Sequence, residues 1–174
     1  MPRRKIIVLV AIGILLGFGV VGMTRFVKRS FHESLEVRVV WLLVTRHCPS
    51  CDLQGGYLPG ANLQNANLQN AKLNRINLSE ANLQGASLTQ VSLQNADLRL
   101  ANLTAANLSS ANLEKADLSG ATLSAANLQN ASLNHTSLRF ADLDAANLTK
   151  TNLLEADLEG ANLLNSRQDT PLTR

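Results

Sequence analysis

Aromatic residues are scarce in this 174-residue chain, which holds four Phe, one Tyr and one Trp. Phe18, Phe26, Phe31 and Trp41 all lie in the first 41 residues, so only Tyr57 and Phe140 remain for the rest. Large rings therefore do not build the main core, and the stacking platforms that bind single-stranded nucleic acid are missing. Cysteine is confined to Cys48 and Cys51, with no second Cys pair to complete a thiolate zinc site. There is no glycine-rich phosphate loop. His32, His47 and His135 lie in separate segments, with no motif placing a serine or cysteine nucleophile beside them. Basic charge is also thin where nucleic acid would need it. The chain is +3 overall, but the stretch from Asp52 to Glu159 holds ten acids against six bases. Most of the positive charge instead brackets an apolar run near the N-terminus. Taken together, these absences lead us to expect a non-enzymatic protein with no cofactor, no metal and no nucleic-acid partner.

That apolar run is Ile6–Met23, uncharged throughout and flanked by Arg3, Arg4 and Lys5 before it and by Arg25, Lys28 and Arg29 after it. At 1.5 Å per residue it reaches roughly 27 Å as a helix, close to the hydrocarbon thickness of a bilayer. The expectation is a transmembrane signal-anchor helix over 6–24 following a basic flank over 1–5. A cleaved signal peptide is the rival, with Val20-Val21-Gly22 as its weak cleavage site. Basic residues are equal on the two sides, so the positive-inside rule does not orient the segment. The N-terminal basic cluster favours the N-terminus inside and the remainder exported. Gly13 and Gly17 form a Gly-x-x-x-Gly pair that could bring two anchors together.

Residues 25–50 read as a linker and a short N-terminal capping helix. Ser30 followed by Glu33 fits a capping box, and Leu35, Val39, Leu42 and Leu43 recur at helical spacing. Val37, Val39, Val40 and Val44 pull against the helix, since β-branched residues favour strands.

From Leu53 to Leu163 a leucine stands at every fifth position, twenty-three in unbroken register. Two residues before nearly every leucine is a small residue, Ala in seventeen cases and otherwise Cys51, Gly56, Val91, Thr136 or Thr151, with Ile76 the exception, and between the two is Asn or Asp in sixteen. On an α-helix a step of five residues rotates about 140°, so the leucines would spiral round every face. On a flat strand an odd repeat sends successive leucines to opposite sides. A chain that turns one corner per five residues buries them all, with the leucine and the small residue pointing inward together. A larger partner than Ala would overfill the narrow bore.

The motif, as in Ala61-Asn62-Leu63-Gln64-Asn65 and Ala116-Asp117-Leu118-Ser119-Gly120, resembles the pentapeptide-repeat family over residues 51–166. The resemblance implies an all-β solenoid, a right-handed quadrilateral β-helix with four pentads per coil and nearly six coils, followed by a polar tail over 167–174. The lead-in from Leu42 to Leu53 resembles that of many cyanobacterial members, which implies a plasma or thylakoid membrane. Leu53, Leu73, Leu93, Leu108, Leu113, Leu133 and Leu163 are expected in the core.

Three sets of residues are candidate sites. Cys48 and Cys51 could serve the N-terminal cap structurally, form a disulfide there, or carry metal or redox chemistry. Leu154 and Leu164 are the only leucines just after a core leucine, both in the last coil; they are expected to cover the C-terminal end or meet a second copy. The resemblance permits such a homodimer, since DNA-mimicking relatives pair through that end. Stepping by twenty residues brings Arg99 and Leu100 onto the same side as Arg139 and Phe140, with Gly120 between, an arrangement suited to a protein partner. The expected function is a membrane-tethered scaffold or protein-interaction module. The alternatives are a cytosolic DNA mimic binding a type II topoisomerase such as gyrase, disfavoured by the dilute negative charge, and a redox or metal role for the cysteine pair.

Overall fold

The computed structural model describes residues 35–169. One helix, α1 (Leu35–Thr45), leads directly into a four-sided solenoid. Twenty-one parallel bridges, from His47–Asn67 to Asn147–Arg167, each join residues twenty apart. Four pentads therefore make one coil. The ladder starts at His47, ahead of the first leucine, and takes in Arg167. We number the sides by their central leucines: side one carries Leu53 to Leu153, side two Leu58 to Leu158, side three Leu63 to Leu163 and side four Leu68 to Leu148.

The repeat is explained by where each backbone N–H of a pentad goes. Around Leu73, the leucine N–H reaches the next coil at Ser92 (2.7 Å), Arg75 reaches Gln94 (2.9 Å), and Lys72 reaches back to Cys51 (2.8 Å). The Ile76 N–H closes the corner onto the Leu73 carbonyl at 3.2 Å. One donor is left, on the residue just after the leucine. In all sixteen pentads with Asn or Asp before the leucine, that side chain accepts it, at 3.0–3.2 Å. This Asx turn is the reason for the Asn/Asp preference, because an unpaired backbone donor is costly. Two pentads with no such acceptor, at His47 and Tyr57, place Pro49 and Pro59 where the donor would be. Proline has no N–H to satisfy.

Every corner residue from Ser50 to Asn165 has a positive φ, between 55° and 70°. Only five of these are glycine, and none is β-branched, the class that tolerates a left-handed backbone least. Inside, the leucines of the middle coils are sealed: Leu73, Leu93, Leu108, Leu113 and Leu133 are fully buried, with the alanines filling between them. At about 2 kcal/mol for each buried leucine, hydrophobic burial is the dominant favourable term. Thr136, at a small-residue position, is buried too, its hydroxyl donating to the Leu113 carbonyl at 2.8 Å.

The two ends differ. At the front, α1 lays Leu42 over the first coil, with Leu35 and Val39 half-buried beside it. Leu43, expected on the same stripe, is on the outer side and Val40 takes a buried place. Arg46 ends the helix in a left-handed conformation and its carbonyl accepts the Asn67 N–H, opening the ladder. At the back, Leu153, Leu158 and Leu163 are only partly buried. The last coil has no further coil to shield it among the described residues.

The membrane placement expected from the sequence is not upheld. Among the described residues no helix is long and apolar enough to cross a membrane. Helix α1 has eleven residues, about 16 Å of rise, and carries Glu36 and Arg38. The run expected to span, within 6–24, and the Ser30–Glu33 capping box lie outside the described residues.

Candidate interaction surfaces

Charge is unevenly shared among the four sides. Side two stacks Glu80, Asp97, Asp117, Asp157 and Glu159 against Arg99 and Arg139, and side three adds Asp142 and Asp144 with no base. Side one balances Asp52, Glu114 and Glu155 against Lys72, Arg75 and Lys115. Side four from Asn67 to Lys150 holds no acid at all. It carries an asparagine ladder instead, in which Asn147 donates to Asn127 at 3.1 Å and Asn127 to Asn107 at 3.3 Å.

The structure brings Arg99, Leu100, Arg139 and Phe140 onto one edge of the rod, where sides two and three meet. Arg99 grips Asp97 with two hydrogen bonds, at 2.9 and 2.7 Å, and lies 3.8 Å from Asp117. Arg139 pairs with Asp157 at 3.1 Å and with Glu159 at 2.5 Å, and its guanidinium lies 5.7 Å from the Phe140 ring centroid. The bond from Arg99 holds the Asp97 carboxyl below the usual carboxylate range. Asp157 is lowered too, first by the Glu159 N–H and then by Arg139. Asp142 is lowered by the Ser124 hydroxyl and the Asp144 N–H. Leu100 and Phe140 are 63% and 65% exposed. Each lies toward the glycine of the next coil: a Cβ on Gly120 would stand 2.8 Å from Leu100 Cδ2, and one on Gly160 would stand 2.5 Å from Phe140 Cδ1.

Cys48 and Cys51 are joined by a disulfide, with Cα atoms 5.4 Å apart. Cys48 occupies a leucine position and Cys51 the small-residue position of the following pentad, the two inward sites that flank every corner. The bond therefore staples the first corner beneath α1. Among the described residues no group of His, Cys, Asp and Glu is placed to hold a metal ion. His47 contributes its carbonyl to Trp41 Nε1 at 3.1 Å, and His135 Nδ1 lies 2.9 Å from Glu155. His32 lies outside the described residues.

Leu154 and Leu164 stand on the outside of the last coil, 62% and 65% exposed. They flank the open end on sides one and three, while the end itself is formed by Leu153, Leu158 and Leu163. The sequence pattern does not distinguish those three from other core leucines; the signal is only the break in register after Leu163, with Gln168 at the next leucine position.

A profile of pentapeptide repeats matches eight copies here, over residues 50–85, 86–124, 101–139 and 126–165. Among solved structures, a pentapeptide repeat protein from the Arabidopsis thaliana thylakoid lumen is 32% identical with a TM-score of 0.51. The match covers 56% of this chain and 65% of that one, so this chain spans slightly less than two thirds of that protein's length. A pentapeptide repeat protein from the cyanobacterium Cyanothece is also 32% identical, covering 78% of this chain and all of that one at a TM-score of 0.42. QnrB1, a plasmid-mediated fluoroquinolone resistance protein, shares the fold at 19% identity and a TM-score of 0.53, over 71% of this chain and 62% of its own. No curated protein sequence matches this chain.

Proposed function

This chain belongs to the pentapeptide-repeat family, whose coils form a right-handed β-helix, and from that premise we propose that it is a non-enzymatic scaffold that binds other proteins through its sides. The observation that carries the reading is the division of labour within each pentad. Two side chains seal the core and one satisfies the backbone, which leaves the residue after the leucine free to vary and the corner residue limited only by its left-handed backbone. A rigid rod thus presents rows of outward side chains at about 4.8 Å spacing. Tagged protein purified from its source cells should bring down a partner in stoichiometric amount. A variant keeping every core and Asn/Asp residue, but with Ser or Asn at those two positions, should fold and lose it. Absence of any stoichiometric partner of the wild type would count against the scaffold reading.

The alternative of a gyrase-binding DNA mimic gains nothing from QnrB1, because a likeness at that identity carries the fold alone. The surface also argues against it. The acids concentrate on sides two and three, where Arg99 and Arg139 interrupt them, while side four has no acid from Asn67 to Lys150 and side one is balanced, so negative charge does not continue around the rod.

A second reading concerns the open end. The half-buried Leu153, Leu158 and Leu163, with Leu154 and Leu164 exposed beside them, favour a homodimer formed end to end. Unpaired coil edges invite such contacts. Sedimentation of wild type against Leu154→Ser with Leu164→Ser tests it. A shift to monomer supports the dimer; an unchanged oligomeric state and thermal midpoint would end it.

A further inference from the structure

We infer that the edge between sides two and three, centred on Leu100 and Phe140, docks a basic polypeptide segment that carries apolar side chains. The inference rests on the scaffold reading and names the chemistry of the partner.

Two independent features coincide there. The first is apolar. Leu100 and Phe140 lie two coils apart, each extended over the glycine of the next coil. Gly120 and Gly160 leave the space those side chains occupy, so the edge reads Leu100, Gly120, Phe140, Gly160, a strip about 14 Å long. Filling either glycine position would lift the large side chain away from the rod. Exposed aromatic and aliphatic side chains beside arginine are the composition of interface anchors.

The second feature is charge. The strip is bordered on one side by Asp97, Asp117, Asp157 and Glu159, and on the other by Asp142 and Asp144. The two arginines beside it are already held by those acids, Arg99 by Asp97 and Arg139 by Asp157 and Glu159. What faces a partner is therefore net negative charge around an apolar ridge. Lysine and arginine flanking leucine-like side chains complement both parts at once. Neither side four, which has no acid from Asn67 to Lys150, nor the balanced side one offers this pairing.

The test uses the full chain and three defined probes: a leucine–lysine amphipathic peptide, an oligolysine of equal charge, and a leucine–glutamate peptide, followed by fluorescence anisotropy. The leucine–lysine peptide should bind, weakening in about 0.5 M salt as screened charges do. Leu100→Ser with Phe140→Ser should weaken it by about tenfold or more, and oligolysine should bind wild type correspondingly less well. Both substituted side chains are exposed, so an unchanged thermal midpoint is expected and confirms that the variant is folded. Equal binding of the leucine–lysine peptide to wild type and variant, equal binding of oligolysine, or no binding at all would each overturn the inference. None of these would touch the scaffold reading, which fails separately if the wild type co-purifies with no partner.

Discussion

Asn107 Oδ1 accepts the backbone N–H of Ser109 at 3.1 Å, across the core leucine between them. The same bond recurs in every pentad with Asn or Asp at that place, so the position is set by the backbone rather than by a ligand. Asn107→Ala removes the acceptor and should lower stability by about 1 kcal/mol. Asn107→Asp keeps it and should cost less. Urea unfolding of the two variants, compared at equal slope, checks the order.

Leu108 is fully sealed, whereas Leu158 is only partly buried in the last coil. Replacing Leu108 by Ala should cost about 3–5 kcal/mol, the range for a core leucine whose surroundings cannot collapse. The same change at Leu158 should cost about 1 kcal/mol, because it opens a site already near water. Thermal midpoints of the two variants should differ in that sense.

The Cys48–Cys51 bond closes a loop of sequence separation 3. So short a loop constrains the unfolded chain weakly, by no more than about 2 kcal/mol. Cys48→Ala with Cys51→Ala should therefore fold, with a modest fall in midpoint. Hydrogen exchange should rise in α1 and the first coil and stay unchanged beyond the third.

Acid should weaken the rod. Asp52, Asp97, Asp142 and Asp157 all have carboxyl pKa values lowered below the ordinary 3.8 by hydrogen bonds that the unfolded chain lacks. Their stabilising contribution is present above the unfolded value. It is lost as the pH falls through the lower folded values, because the unfolded chain then binds more protons. Thermal midpoints should be flat at neutral pH and decline from about pH 4 downward. Asp142→Asn retains an acceptor for the Asp144 N–H and should flatten that decline.

The leucine register and the alternation with alanine made a chain turning one corner per five residues legible from sequence, because period five excludes both the helix and the flat strand, while its four sides were implied by the resemblance to the pentapeptide-repeat family. The cap was legible as well, although helical spacing alone did not decide which of Val40 and Leu43 faces the coil. The role of the Asn/Asp column was not. Its partner is a backbone N–H two residues on, and which N–H is left over becomes visible only when all five donors of a pentad are accounted for. Pro49 and Pro59 carried part of that information in the sequence, at two of the places where the acceptor is missing. The edge at Leu100 and Phe140 was legible by stepping twenty residues, but not the lean of each side chain over Gly120 and Gly160. That depends on the corner being left-handed and on the next coil offering no Cβ.

The most direct test of the account is contact mapping around the rod. A photo-crosslinking residue would be placed in turn at Gln94, Ser119, Thr104 and Ser109, one on each of sides one to four, in the full chain in its source cells. If outward rows on a rigid rod are the working surface, one partner should be captured repeatedly from one side or from two adjoining sides, sides two and three in our reading, and not from the opposite side. Capture of the same partner equally from all four sides, or from none, would contradict it.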